Sequence, residues 1–238
     1  MLSLSHWLAQ GAIGLAVSGA LGGVACLVGS IDRRGLAAGV CVGTAVYVGV
    51  GWRGFLCLAT FFVIGTLATR VGRVDKAPHG ARTVRHVLAN GAVPAGCALA
   101  ALLFPNHVEA LSGAFAGALA AATADTLSSE IGQVYGGAPY LLTTLRRVPV
   151  GENGGVTVVG TGAGLAGAAV LAIVAVSLGV ANSMAAVVVA GAVGNVADSA
   201  LGATLERRGV MSNAGVNVAC TVAGAVAAGL LTVAALAR

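Results

Sequence analysis

The chain has 238 residues, of which 58% are hydrophobic and only 9% are charged, and its mean hydropathy is +0.95. A soluble globular domain carries roughly 25% charged residues, so the composition excludes that class and predicts one integral membrane domain over residues 1–238. The formal net charge of +5 comes without a long basic run and with few aromatic residues, which excludes nucleic acid as a partner. The 37 glycines favour an all-α bundle in which small residues let helices pack closely.

Eight apolar segments approach the roughly 20 residues that a helix needs to span a bilayer. They lie at 7–29, 36–51, 54–69, 84–104, 108–131, 157–180, 183–203 and 215–236. Residues 36–69 could instead form one helix, which would leave seven spans. About 34 residues would overshoot the bilayer, however. Residues 49–54 hold three glycines and Trp52, which is typical of an interfacial turn, so we expect eight helices.

Basic residues divide the loops of this eight-helix arrangement into two sides. The loops after the first, third, fifth and seventh helices hold 11 of the 13 basic residues, and only Arg53 and Arg238 fall on the other side. The positive-inside rule then predicts cytoplasmic polar loops and both termini outside, in a prokaryotic inner or plasma membrane. The opposite side has only short links, so we expect the working face to be cytoplasmic.

The loop over residues 70–90 concentrates basic side chains that suit a phosphate group. Lys76, Arg85 and Asn90 are its candidates for phosphate binding. Arg85 and Asn90 are favoured over Arg73 because they enter the next helix, where they need partners. Docking on anionic lipid headgroups, or setting the topology alone, is an equally good interpretation of this basic group.

The fifth segment is interrupted by two carboxylates and four hydroxyls within residues 123–130. A buried, unpaired carboxylate is so costly that acids inside a membrane helix indicate a functional site. Asp125, Ser128 and Ser129 share a helical face, whereas Glu130 points about 140° away from Asp125 unless the helix ends there. A helix end at this point would let Asp125 and Glu130 bind one Mg²⁺. Hydrogen bonds that join helices are the alternative role for these groups.

Residues 146–157 combine two arginines with a glycine-rich loop at the start of the sixth helix. Glycines let backbone amides approach an anion closely, and a helix N-terminus adds unpaired N–H donors. The segment therefore predicts a phosphate cradle, although it lacks the Gly-Lys-Ser/Thr of a Walker loop. Its predicted ligands, together with Ser129 of the preceding helix, are Arg146, Arg147, Asn153, Gly154, Gly155 and Thr157.

A second acidic group lies in the seventh segment, where Ala197-Asp198-Ser199 echoes Ala124-Asp125-Thr126. Both triplets lie near the same end of helices that run in the same direction, so the two aspartates should lie at comparable depth. Asp198 is accordingly a third candidate metal ligand, with a helix-pairing acid or the partner of a buried cation as alternatives. Asn213 and Asn217 place two amides at the start of the eighth helix, where capping is the alternative for Asn213.

Four motifs together resemble one integral membrane family, which contains plant phytyl-phosphate kinase and animal transmembrane protein 19. The likeness extends over residues 33–217, and the motifs are Val87-Leu-Ala-Asn-Gly91, Ala124-Asp-Thr-Leu-Ser-Ser-Glu-Ile-Gly132, Gly151-Glu-Asn-Gly-Gly-Val-Thr157 and Asp198-Ser-Ala-Leu-Gly-Ala-Thr204. The family is distantly similar to the phytol and dolichol kinases, which implies phosphoryl transfer from CTP, or another nucleoside triphosphate, to an isoprenoid monophosphate. Glu152 departs from the small polar residue that the family more often has before Asn-Gly-Gly.

The resemblance implies a role for each group of candidate residues. Asp125, Glu130 and Asp198 would hold Mg²⁺ on the nucleotide phosphates, which the glycine loop would cradle. The acceptor phosphate would contact Lys76, Arg85, Asn90, Asn213 and Asn217, with the prenyl tail in a groove among the helices. Such a transfer needs positioning and charge neutralisation more than covalent help.

Two other functions fit the same residues. A transporter would use Asp125 and Asp198 to carry protons or bind a cation, and acids at mid-depth with access from both sides would favour it. A non-catalytic lipid-binding or assembly protein would leave the acids without a metal. The expected partners are the bilayer, the isoprenoid phosphate and the nucleoside triphosphate, with a homodimer left open.

Overall fold

The computed structural model describes residues 4–72 and 81–237, and over these residues the fold is an all-α membrane bundle, as predicted. Its seven helices are α1 (Leu4–Leu27), α2 (Arg33–Gly72), α3 (Val84–Leu103), α4 (Val108–Tyr135), α5 (Val158–Ser177), α6 (Met184–Leu201) and α7 (Asn213–Leu236). Each is long and apolar enough to cross a membrane. A 3₁₀ turn, Pro105–His107, precedes α4, and a π-helical turn, Gly202–Glu206, extends α6.

Helix α2 is two antiparallel arms, because the chain turns back at Gly51. This glycine has φ 77° and ψ −169°, outside the helical region. The rings of Tyr47 and Phe55 are 6.1 Å apart between centroids, whereas eight residues of a continuous helix would separate them by about 12 Å along the axis. The predicted division of residues 36–69 is therefore present. We call residues 33–50 the first arm and residues 52–72 the second arm; the number of membrane crossings stays a prediction.

The turn at Gly51 brings the basic loops to one end of the bundle. Ile31, after α1, pairs in a parallel bridge with Arg82, before α3, and the Arg82 amide donates to the Ser30 carbonyl at 3.1 Å. A single 40-residue rod would have placed these two loops at opposite ends. At the other end, Asn182 Nδ2 donates to Glu109 Oε2 at 2.9 Å. We call these the basic end and the opposite end; which one faces the cytoplasm stays a prediction.

Helix α4 forms the centre of the bundle, and residues 113–124 are buried without interruption. Small side chains make this burial possible. An added Cβ at Gly117 would strike Ala228 of α7, and one at Gly194 of α6 would strike Ala121. Backbones therefore approach closely around α4, as is typical of membrane helices that pack through glycine and alanine. The close packing fixes the relative positions of the polar residues that follow on α4 and α6.

A short antiparallel pair, β1 (Tyr140–Leu141) and β2 (Gly155–Val156), closes the loop between α4 and α5. Tyr140 is opposite Val156, and Leu141 is opposite Gly155. The pair was not predicted, since two-residue strands leave no periodic pattern in a sequence. It holds residues 142–154 as a compact loop over the basic end.

Candidate active site

A cavity of about 770 Å³ extends from the basic end into the bundle. Its two halves differ in chemistry. The polar half includes Arg82, His86, Asn90, Asp125, Ser128, Ser129, Glu130, Asn153, Asn195, Asp198, Ser199, Glu206, Asn213 and Asn217. The other half, which we call the apolar arm, lies among α1 and the two arms of α2 and is lined by residues such as Leu21, Val42, Phe55, Leu58 and Phe62. An amphipathic molecule would match this division.

The polar half is centred on two facing carboxyl groups. Asp125 of α4 and Asp198 of α6 lie within hydrogen-bonding range of each other, and Ser129 lies beside Asp125. Asp198 Oδ2 is buried and has no hydrogen-bond partner among residues 4–72 and 81–237. Two carboxylates in this arrangement repel each other unless a proton or a cation lies between them. The sequence echo between the two aspartates thus corresponds to a direct contact.

Glu130 does not join this pair in the way that the sequence predicts. Helix α4 continues to Tyr135, four residues beyond the predicted end, so Glu130 lies in regular helix. It therefore keeps the angle of about 140° from Asp125 that five helical residues produce. Glu130 still lines the cavity and adds negative charge near Asp125.

Glu206 is a further carboxylate at the cavity, and its position depends on the π-helical turn. In a regular helix it would lie about 80° around the axis from Asp198, eight residues earlier. The wider π turn rotates less per residue, which brings Glu206 back toward the Asp198 face. Its side chain interacts with Asn213 at the start of α7. The π turn leaves no mark in the sequence, so Glu206 was not predicted as a site residue.

The donor set fits Mg²⁺ through two carboxylates rather than three. Among the described residues, no three histidine, cysteine or carboxylate side chains lie close enough together to hold one metal ion. The predicted ligand set of Asp125, Glu130 and Asp198 is therefore not assembled, because Glu130 is on another face of α4. Mg²⁺ commonly takes one or two carboxylates and completes its octahedron with water and substrate phosphates. Asp125 and Asp198, with the orphaned Oδ2, satisfy that requirement.

The glycine loop has a packing role that the sequence did not reveal. Gly154 has φ 76°, and an added Cβ would strike the backbone of Ala203 in the π turn. Glu152 Oε1 accepts from Arg207 Nε at 3.0 Å across the same contact. Glu152 therefore ties the loop to the end of the π turn. Asn153, Gly154 and Gly155 all line the cavity, and Gly155 is also held in β2.

Thr157 is occupied as a helix cap. Its Oγ1 accepts from the Gly160 amide at 3.0 Å, which satisfies one of the free donors at the start of α5. The same hydroxyl packs so closely on α4 that a Cβ at Gly132 would lie 2.9 Å from it. Thr157 lines the cavity wall, but its hydroxyl is already engaged as the cap of α5.

Arg146 and Arg147 do not belong to the cavity lining. Both are exposed, and Arg147 Nε donates to Tyr140 Oη at 2.8 Å with its guanidinium 5.4 Å from the centre of the Tyr140 ring. Because Arg147 pairs with Tyr140 in the backbone as well, the stacking directs its side chain along the loop surface. The predicted role of this pair in cradling phosphates is not supported by their position.

Arg82 is the basic residue that the sequence missed. It lines the cavity, its Nη2 donates to Thr69 Oγ1 at 3.3 Å, and its guanidinium is 6.0 Å from the centre of the Phe62 ring. No other arginine or lysine among the described residues lines the cavity. Arg82 thus brings a positive charge to the junction of the polar half and the apolar arm.

The predicted phosphate ligands around α3 divide into two groups. Asn90 lines the cavity and its Nδ2 donates to the His86 carbonyl at 3.2 Å. Arg85 is exposed and does not line the cavity, because it lies about 140° around the helix from Asn90. Lys76 lies outside the described residues.

The two amides at the start of α7 line the cavity as predicted. The capping alternative is taken by Ser212, whose Oγ accepts from the Gly215 amide at 3.3 Å. Asn213 is consequently available to Glu206, with which it interacts. Asn217 lies one turn further into the helix and is half-buried.

Comparisons with known proteins agree with the motif resemblance. The profile of the family described as integral membrane protein DUF92 matches residues 16–234. An uncharacterized membrane protein of Methanocaldococcus jannaschii is 34% identical over 201 residues, which are 82% of this chain and 83% of the relative. An uncharacterized membrane protein of Synechocystis is 30% identical over 177 residues, covering 70% of this chain and 69% of the relative.

A plant relative extends the comparison beyond prokaryotes. The Arabidopsis thaliana protein named VTE6, chloroplastic, is 35% identical over 198 residues, which are 76% of this chain. The aligned region is 58% of the length of VTE6. No solved structure matches the chain.

Proposed function

The chain belongs to the integral membrane family DUF92, and we propose that it is an isoprenoid-phosphate kinase. It transfers a phosphoryl group from a nucleoside triphosphate, CTP before others, to a prenyl monophosphate such as phytyl, geranylgeranyl or farnesyl phosphate. The product is the corresponding diphosphate. Support comes from the four motifs shared with the family of plant phytyl-phosphate kinase and from the 35% identity to a chloroplast protein.

One observation carries the proposal: the polar and apolar halves belong to one continuous cavity. Paired carboxylates and Arg82 provide charge that suits phosphates and a metal ion, while the apolar arm provides a wall for hydrocarbon. A reaction that joins a water-soluble nucleotide to a lipid-soluble acceptor needs both surfaces within reach of each other. The cavity volume of about 770 Å³ lies in the range usual for ligand sites.

In the proposed mechanism, the residues of the chain position reactants rather than react with them. Asp125 and Asp198 would hold Mg²⁺, and the bound ion would neutralise charge on the nucleotide phosphates. Arg82 orients the acceptor phosphate and offsets its negative charge. Asn90, Asn213 and Asn217 line the same space, where they would donate hydrogen bonds to phosphate oxygens. The acceptor is already ionised, so the transfer requires no strong general base.

A transfer assay tests the function directly. Purified protein in lipid nanodiscs is incubated with Mg²⁺, with CTP or ATP, and with geranylgeranyl, phytyl or farnesyl monophosphate, and diphosphate is measured. We expect diphosphate with at least one pair. Its absence with every pair would contradict the proposal.

Replacing the paired acids tests the mechanism. Asp125→Asn and Asp198→Asn should each lower the transfer rate by at least about a hundredfold, as loss of one electrostatic stabiliser does in other enzymes. Glu109→Gln is the matched control, since this acid bonds Asn182 at the opposite end. Undiminished activity in Asp125→Asn would disprove the role of the pair.

The transporter alternative has no comparable support. An ion path would need polar groups that continue from the carboxylate pair toward the opposite end. The described lining in that direction is largely apolar and includes Phe55, Leu58 and Phe62. The membrane in which the protein resides, and the cytoplasmic position of the basic end, remain predictions; one relative is named as chloroplastic.

A further inference from the structure

The apolar arm has a closed floor, where three helical segments meet. An added Cβ at Gly43 of the first arm would strike Ser18 Oγ of α1 and lie 3.2 Å from Phe55 Cε2 of the second arm. Behind the floor, the Phe55 ring packs against Tyr47. The Ser18 side chain is 4% exposed, and its hydroxyl has no hydrogen-bond partner in the described parts of the chain. The floor is therefore held by packing.

Between the opening of the cavity at the basic end and this floor, the first arm leaves open space at one position, which we call the gap. Gly35, Gly39 and Gly43 recur every four residues, so they share one face of the first arm. At Gly35 an added Cβ would lie 2.6 Å from the Arg82 carbonyl oxygen, and at Gly43 it would strike the floor. At Gly39, which lines the cavity, it would meet nothing within 4 Å. Because both neighbours face the interior, the space beside Gly39 belongs to the cavity.

We propose that the space beside Gly39 makes the apolar arm a ruler that selects the acceptor by the length of its hydrocarbon chain. This inference rests on the proposed function for its choice of acceptor. A long prenyl chain, its phosphate beside Arg82, passes Gly39 and fills the arm to the floor at Ser18 and Phe55. A short chain leaves the distal part of the arm unfilled. Each additional buried methylene strengthens binding of the longer chain.

A substitution at Gly39 tests the ruler, because a side chain can enter the gap without striking the backbone of another helix. Gly39→Phe should shorten the arm, and Gly39→Leu provides a smaller block should the phenylalanine variant fail to fold. Gly23→Phe is the matched control. Gly23 is also a helical glycine with nothing within 4 Å of an added Cβ, but it does not line the cavity.

The readout is binding, which does not depend on phosphoryl transfer. Dissociation constants of geranyl, farnesyl and geranylgeranyl monophosphate are measured for each variant in nanodiscs, with the nucleotide omitted. We expect affinity to rise with chain length in the native protein and in Gly23→Phe. In Gly39→Phe the advantage of geranylgeranyl over geranyl should fall by about tenfold or more, the equivalent of two lost methylenes.

The outcomes separate this inference from the proposed function. An unchanged length preference in both Gly39 variants, or the same loss in Gly23→Phe, would overturn the ruler. A length preference that Gly39→Phe abolishes, in a protein that transfers no phosphoryl group with any nucleotide, would uphold the ruler and contradict the kinase. Active protein that binds all three chain lengths equally would uphold the kinase and overturn the ruler.

Discussion

Arg82 has an unusual combination of contacts for a cation in a membrane protein. It bonds Thr69 and lies over Phe62, yet it also lines the cavity in which two aspartates face each other. Arginine forms paired, charge-assisted hydrogen bonds to phosphate that lysine cannot reproduce. Its position between the carboxylates and the apolar arm is where the phosphate of a prenyl acceptor would lie.

Arg82→Gln should therefore impair acceptor binding more than turnover. Loss of hydrogen bonds to a charged group costs about 1.5–3 kcal/mol, so KM for the prenyl phosphate should rise about ten- to hundredfold while kcat changes less. Arg147→Gln is the control, because Arg147 stacks on Tyr140 outside the cavity. Equal KM values in the two variants would rule out a phosphate contact by Arg82.

Individual residues show what the sequence could and could not predict. The two aspartates were identified because acids in apolar helices are costly enough to need a purpose. Arg82 was missed because a basic residue in a loop looks the same whether it sets topology or turns inward. Arg85 was preferred for its place inside α3, but its angle around that helix leads away from the cavity.

At the scale of elements, the loop between α4 and α5 depends on its contact with the π turn. Gly154 combines a positive φ with an approach to Ala203 that leaves no room for a Cβ. The loop residue Asn153 reaches the cavity from this platform. The position of the loop over the site is therefore a consequence of a glycine whose partner lies 49 positions away in the sequence.

Gly154→Ala should destabilise the protein through both strain and overlap. A left-handed conformation alone costs an alanine about 1–2 kcal/mol. Gly137→Ala isolates that part, because Gly137 has φ 68° and nothing within 4 Å of an added Cβ. We expect Gly154→Ala to lower the thermal unfolding temperature in detergent clearly more than Gly137→Ala. Equal shifts would show that the contact with Ala203 is not tight.

The order of the helices could be predicted from the apolar segments of the sequence. Most of the structures that join or extend the helices could not. The turn at Gly51 was predicted, because three glycines and Trp52 interrupt a segment too long for one crossing. The β pair and the π turn were not predicted, since both are defined by partners across the bundle. Helix α4 also runs past Glu130, where no local signal ends or extends it.

At the scale of the whole molecule, the two ends of the bundle differ in charge and in loop size. The loops that contain Ile31 and Arg82 meet at one end, while the residues around Asn182 meet Glu109 at the other. The positive-inside rule assigns the basic end to the cytoplasm. The cavity would then take its nucleotide from that side.

Labelling of single cysteines tests this orientation. With the five native cysteines replaced by alanine, Asn106→Cys reports the opposite end and Arg208→Cys the basic end; both native residues are exposed. A membrane-impermeant maleimide added to intact cells should label Asn106→Cys alone, and Arg208→Cys only after permeabilisation. The reverse pattern would invert the topology and place the mouth of the cavity outside.

Under the proposed function, the continuity of the cavity would also determine which concentration governs the reaction. A prenyl phosphate dissolved in lipid would approach the protein by diffusion in two dimensions, so its relevant concentration would be its mole fraction in the bilayer. The nucleotide would arrive by diffusion in three dimensions, so its relevant concentration would be its molarity in water. Adding inert lipid at a fixed amount of acceptor would slow such an enzyme by surface dilution, while adding buffer would dilute the nucleotide alone.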